Sequence, residues 1–336
     1  MTTSSSQATE EETLFGSVPP LRLWLKTFVI GLCMGSADAV PGVSGGTIAL
    51  IAGIYERLIA AITAVTPERA IDFLRALTPA DGGISVRRAV AVLEDVDVWF
   101  LLPLVGGIGV AVVLVTRIVH VANQEVPILL YGVFFGLIAA SAIILLRELS
   151  VDTAFQAGAA VVGFVVAFLL SGHIEFLDGG GLLVVFVAGA VAVSAMILPG
   201  ISGSLLLVIL GQYTRMSDTL SYFVDDLLAL VSGGPVSAVV DTGTVVVMFM
   251  LGGLAGLFTI SRVIRRALDA NRRATFAFLV ALVVGALRAP ITELTVEKGV
   301  VWTTANIGTF AAAAAVGGVV VLLLDWYAVD LDLDSA

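Results

Sequence analysis

The sequence predicts an all-α polytopic membrane protein built from two inverted-topology repeats, each a broken or re-entrant helix pair followed by three transmembrane helices. Three observations predict it. The 336 residues are 59% hydrophobic and only 13% charged, with a mean hydropathy of +1.07, and a soluble domain of this size needs far more polar surface. The stretch at 31–57, GLCMGSADAVPGVSGGTIALIAGIYER, returns at 189–215 as GAVAVSAMILPGISGSLLLVILGQYTR, with 11 identities in 27 ungapped positions. Three long apolar runs follow each copy.

In chain order, the opening MTTSSSQATEEE is polar and acidic and reads as part of a disordered cytoplasmic tail covering 1–20. Repeat 1 occupies 21–170. Its broken element has a first half at 21–40 and a second at 47–65, separated by Pro41-Gly42-Val43-Ser44-Gly45-Gly46. Pro and Gly do not continue a helix, so the backbone opens there. In a membrane an open backbone survives only where protein buries it or water reaches it. Short surface helices are expected in the charged connection at 66–97, then spans at 98–119, 126–146 and 153–170, each about long enough to cross ~30 Å of hydrocarbon. Repeat 2 occupies 171–327. Its broken element has halves at 182–198 and 205–220 around Pro199-Gly200-Ile201-Ser202-Gly203-Ser204. An acidic loop with Asp218, Asp225, Asp226 and Asp241 follows, then spans at 244–264, 274–289 and 303–326. The acidic tail at 328–336 reads as unstructured and cytoplasmic. Thr116-Arg117 at the end of the first span corresponds to Ser261-Arg262 in the second repeat.

Charge sets the orientation. A broken pair makes an even number of crossings, so three further spans make each unit odd and the second lies upside down. Of the 17 cations, 13 then fall on the side of the N-terminus, against Arg117, Arg215, Arg288 and Lys298 on the other. The first side is therefore expected to be the cytoplasm, with both termini inside and the protein in the plasma membrane. Copy one opens from within and copy two from outside, as inverted-repeat transporters are built. The formal net charge is -10 and only Lys26 and Lys298 are lysines. That halophile-like composition suits a high-salt cytoplasm and argues against nucleic acid as a partner. The single Cys33 excludes an internal disulfide.

Each break predicts a restarted helix whose free N–H groups and positive dipole end suit an anion, phosphate above all. Ser44, Thr47, Ser202 and Ser204 add hydroxyls, and Gly42, Gly45, Gly46, Gly200 and Gly203 let a bulky group approach. The plainer reading is that the serines cap helices and the glycines pack. Arg57 and Arg215 recur thirteen residues after the break serines, too far to act there, and Arg57 reads as an interfacial anchor. Arg117, Arg215 and Arg288 are rare cations on the outer side, where a phosphate headgroup is a natural partner. Asp38, three residues before Pro41, faces Met196 in the other copy. An ionisable group at that depth is a coupling candidate for a proton or sodium ion, against a plain helix cap. Glu56 beside Arg57 reads as an ion pair.

His120 and His173 are the only histidines. Ser171-Gly172-His173 has the form of an element found in lipid phosphatases, yet Ser261-Arg262 has no His after it, which leaves hydrolysis without its second base. No catalytic residue, cofactor or metal cluster is expected. Gly132-x-x-x-Gly136 and Gly252-x-x-x-Gly256 predict helix-packing faces.

The two motifs, ADAVPGVSGGTIALIAGIYERLI and ILPGISGSLLLVILGQY, resemble a family formerly catalogued as a domain of unknown function and now associated with translocating polyprenyl phosphate, the undecaprenyl- or dolichyl-phosphate carrier. The resemblance runs from about Leu21 to Trp326. It implies recycling of the lipid phosphate from the outer to the cytoplasmic leaflet, with Pro41, Gly42, Ser44, Gly45, Gly46, Pro199, Gly200, Ser202, Gly203 and Ser204 at the presumed site. A small-anion transporter or channel is the alternative, and an intramembrane lipid-phosphate hydrolase a third reading.

Overall fold

The computed structural model describes residues 19–64, 66–77, 86–172, 181–196 and 202–334. Most of the expected tail at 1–20 and the Pro199-Gly200-Ile201 part of the second break lie outside the described residues, as does His173. Among the described residues every regular element is helical.

Local chemistry accounts for the ends of the helices. α1 (Leu21–Ala39) follows Pro20 and stops where Pro41 drives Val40 into extended backbone. α2 (Gly45–Ile51) and α3 (Tyr55–Ala64) meet at 120° around Gly53, whose φ is +66°. The second half of the broken element is thus two helices. α4 (Pro67–Leu77) and α5 (Val86–Asp95) are the expected surface helices. α6 (Val98–Glu125) turns at Val126 into α7 (Pro127–Glu148), which Pro127 starts at its first position. α8 (Ala154–Leu170) opens on a capping box between Thr153 and Gln156.

The second half repeats the plan. α9 (Leu182–Ala195) leads to the break, α10 (Gly203–Ile209) restarts, and Gly211, also at φ +66°, turns the chain into α11 (Tyr213–Val231). Asp218, Asp225 and Asp226 lie on α11 rather than in a loop. Tyr213, Ser217 and Ser221, spaced four apart, are all buried, so the stretch is an amphipathic helix whose acids occupy the other faces. α12 (Val236–Ala286) has non-helical backbone at Asn271, and the Asn271 side chain caps the following limb by accepting from the Ala274 N–H at 3.0 Å. Asp241 lies on its first limb. α13 (Arg288–Thr292) passes into a π-helical turn at Glu293–Glu297, and α14 (Thr304–Asp334) closes the chain. The acidic tail read as unstructured continues α14 to Asp334, because no Pro or Gly after Trp326 stops the helix.

Among the described residues four helices are long and apolar enough to cross a membrane, or five if the α2–α3 pair counts as one span. Their outward faces are hydrocarbon: Leu114 and Ile118 on α6, Val161 and Leu169 on α8, Met250 and Phe258 on α12, and Val316 on α14 are all exposed. An apolar belt of this extent is stable only against lipid, so this is a multi-pass membrane protein.

Close helix contacts repeat between the halves. α1 lies along α6 in the same direction, with Trp24 beside Trp99 (6.2 Å), Gly31 against the Leu104 carbonyl and Gly35 against Ile108. α9 lies along α12 the same way, with Gly189 against the Phe249 carbonyl and Val193 against Gly253. The remaining spans exchange partners: Gly163 of α8 abuts Phe278 of α12, and Gly317 of α14 abuts Val133 of α7. The expected packing faces are present too, Gly136 touching Ala314 and Gly252 touching Phe186. Small residues at these positions let backbones approach where lipid gives no hydrophobic drive between helices.

Candidate functional site

The first break is tightly held. Pro41 is fully buried. Gly42, at φ +92°, presses on the α7 backbone, where an added Cβ would stand 3.0–3.1 Å from Leu137 and Ile138. Its carbonyl accepts from Ser141 Oγ at 2.5 Å. α2 then folds back on α1, since Gly45 sits beside the Met34 carbonyl, and the Gly45 N–H donates to Asp38 Oδ1 at 2.7 Å. Asp38 therefore caps the restarted helix, using an amide that an incoming anion would otherwise find open.

The second break differs in chemistry. Gly203 sits beside the Ala192 carbonyl and the Met196 side chain, the counterparts of Met34 and Asp38. With Met196 there, among the described residues no carboxylate is hydrogen-bonded to the start of α10. Ser202 and Ser204 are buried and share a hydroxyl–hydroxyl bond of 2.6 Å.

The two breaks meet at one cavity of about 240 Å³. Asp38 and Ala39 line it from the first copy, Met196, Gly203 and Ser204 from the second, and Thr116, Ser217 and Phe249 complete its wall, which is mostly hydrocarbon. Tyr213 joins the copies by donating from its hydroxyl to the Ala39 carbonyl at 2.7 Å. α11 crosses the mouth as a strap tied at both sides. His120 Nδ1 lies 2.6 Å from Asp218, Arg117 pairs with Asp225, and Thr242 donates to Asp226 at 2.9 Å. The Arg117 guanidinium holds the Asp225 carboxyl below the usual carboxylate range.

The three cations expected near a headgroup, Arg117, Arg215 and Arg288, do not line this cavity. Arg117 is turned away from the cavity toward Asp225 and Ser221. Arg215 donates to Gln212 at 3.4 Å. Arg288 donates to the Phe168 carbonyl at 2.7 Å and lies 4.4 Å over its ring. Ser44, Gly46 and Thr47 are half-buried and off the cavity wall. Arg57 pairs with Asp97 at 2.6 Å, with Phe100 beneath, rather than with Glu56. Neighbours on a helix point apart, so Glu56 cannot face Arg57 as Asp97 does.

Sequence reasoning missed a buried polar cluster near the strap. Tyr131 Oη lies 3.1–3.2 Å from Asn123 Oδ1, Thr214 Oγ1 and Glu293 Oε1, joining α6, α7, α11 and the π-helical turn. Only the repeated Tyr55/Tyr213 identity hinted that the start of α11 mattered. Among the described residues no cluster of three or more His, Cys, Asp or Glu is placed to hold a metal.

Residues 34–309 match the family model described as VCA0040-like, undecaprenyl phosphate translocase-like. A polyprenyl-phosphate transporter of Vibrio cholerae is 32% identical over 270 residues, covering 79% of this chain and 76% of the relative. One of Staphylococcus aureus is 30% identical over 275 residues, covering 77% and 83%. No solved structure matches the chain. With both repeated breaks and the cavity between them inside the matched region, the chain belongs to the undecaprenyl phosphate translocase-like family.

Proposed function

We propose that this protein is a transporter, not an enzyme, and that it moves polyprenyl phosphate from the outer to the cytoplasmic leaflet by alternating access between two inverted units. The observation that carries the reading is the cavity where the end of one break meets the start of the other. Its hydrocarbon wall suits the first units of a prenyl chain, and the Gly203–Ser204 edge is the polar end for a phosphate. The relatives' names supply the substrate class.

Inversion is supported by helix directions. α1 runs with α6, and α9 with the first limb of α12. α8 runs with the second limb, as Gly163 facing Phe278 and Ala167 facing Gly285 require. Chain reversals at Val126, after Glu148 and at Asn271 then leave α1 and α9 entering from opposite faces. The positive-inside count places the α1 face in the cytoplasm, with both termini there.

Charge inside the cavity bears on the energy source. A phosphate lodged there meets the Asp38 carboxyl and no cation of the wall. We therefore assign Asp38 the coupling role: it takes up a proton, or shares a sodium ion with the headgroup, when the lipid enters. A small-anion carrier is less well served, because a solute anion would be left against hydrocarbon.

The test is reconstitution in vesicles carrying a fluorescent polyprenyl phosphate, following its loss from the outer leaflet. Ser202→Ala and Ser44→Ala are run beside the wild type, together with a release assay for inorganic phosphate. Loss of transport in Ser202→Ala is expected, with little change in Ser44→Ala. Normal transport in both removes the hydroxyls, and phosphate release by wild type replaces the transporter with a hydrolase.

A further inference from the structure

A second cavity, of about 170 Å³, lies on the opposite face of α10. Its wall is wholly apolar: Ala195 of α9, Leu205 and Ile209 of α10, and Ile264, Leu279 and Leu282 from the two limbs of α12. Leu268 packs beside Ala195 and Ile264, extending the apolar lining to the bend at Asn271. Several wall residues, Ile264, Leu279 and Leu282 among them, are only partly buried, so the cavity opens to the surface.

The bend beneath this opening is strongly basic. Arg262, Arg265, Arg266, Arg272 and Arg273 are all exposed there, with Asp269 the only acid among residues 262–273. Arg273 is paired with Asp152 at 2.7 Å. Among the described residues the other four have no acidic partner within hydrogen-bonding reach. Arg272 and Phe278 are six helical positions apart, roughly 9 Å at 1.5 Å per residue. Cations and hydrocarbon are thus separated by the length of a small headgroup.

We propose that the α12 bend is a docking site for a single-tailed lipid phosphate on the face opposite the strap, with its chain in the 170 Å³ cavity and its phosphate among Arg265, Arg266 and Arg272. The proposal rests on the transport reading above and adds where the cargo is held after it crosses. Guanidinium groups suit phosphate through paired N–H donors. Cations flanking an apolar slot recognise a charged amphiphile, whereas a positive-inside signal alone requires no slot.

The experiment uses the full chain purified into phosphatidylcholine nanodiscs, with farnesyl phosphate, farnesol and phosphatidylglycerol as probes. Farnesyl phosphate is expected to bind. The triple change Arg265→Gln, Arg266→Gln, Arg272→Gln is expected to weaken it roughly a hundredfold, while leaving farnesol unchanged. Leu282→Trp, which fills the slot, is expected to weaken both. A diazirine-bearing farnesyl phosphate on the wild type, which needs no variant to fold, is expected to label residues 278–283. Unchanged binding by the triple variant overturns the site. So does displacement of farnesyl phosphate by an equal amount of phosphatidylglycerol, which would mark a general acidic-lipid surface. Labelling at 278–283 without transport in vesicles would end the transport reading and keep this site. Transport with labelling confined to residues 192–220 would do the reverse.

Discussion

The two breaks share a motif and differ in how each restarted helix is answered. In the first, Asp38 reaches the Gly45 amide, and Gly42 is wedged on α7 under Ser141. In the second, Met196 occupies the aspartate's place, and the hydroxyls of Ser202 and Ser204 bond each other. The same broken-helix motif has thus been given a carboxyl-capped end in one copy and a hydroxyl-bearing end in the other. Their elements diverge as well. α3 is 10 residues long and ends beside α6, whereas α11 is 19 residues long and straps α6 to α12. Symmetry supplies the scaffold, and its violation places one carboxylate in the shared cavity.

The largest expected effect comes from erasing that violation. Asp38→Asn keeps an oxygen for the Gly45 amide but removes the charge, so the fold should persist while transport in vesicles falls at least tenfold. Unimpaired transport would reduce Asp38 to a cap. Next is Gly42 against Gly53. Both have positive φ, but an added Cβ at Gly42 meets α7 backbone, whereas at Gly53 it meets nothing within 4 Å. Gly53→Ala should cost about 1–2 kcal/mol of backbone strain, and Gly42→Ala should add roughly 1–3 kcal/mol of overpacking, read as the difference in thermal midpoint. Third is the tyrosine pair. Tyr213→Phe loses the bond to Ala39 and should cost about 1 kcal/mol, while Tyr55→Phe at the matching position should be close to neutral. Equal effects would mean that the two turns are equivalent after all.

The smallest effect concerns the strap. Asp225 has its folded-state pKa lowered by Arg117, so its contribution is present above the unfolded carboxylate value of ~3.9 and is lost as pH falls through the lower folded value. The protection of amides along α11 against exchange should therefore fall below about pH 4, and fall less in Asp225→Asn.

Much of this was legible in the sequence because its causes are local. Pro41 and Gly42 stop a helix wherever they stand, and the duplicate at 199–203 needs only to be aligned. Hydropathy located the long apolar helices, although α6 and α14 run past their expected ends and α12 begins before its expected start. The further splits at Gly53 and Gly211 escaped notice, since a lone glycine in an apolar run also packs inside helices, as Gly31 and Gly107 do here. α11 was read as a loop because its aspartates are conspicuous and its buried serines are not. Partner choice was beyond reach. Arg117 and Asp225 are 108 positions apart, and nothing along the chain distinguishes that acid from Asp226. The π-helical turn that brings Glu293 to Tyr131 has no residue signature at all.

The exchange of partners among the later spans bears on biosynthesis. α7 finds its seam-mate in α14, made more than 150 residues after it, and α8 finds its own in the second limb of α12. A nascent chain halted after residue 170 would therefore wait at the translocon with the glycine seams of α7 and α8 filled by lipid. Neither half can mature alone, and the first half is fully packed only once α14 has been made.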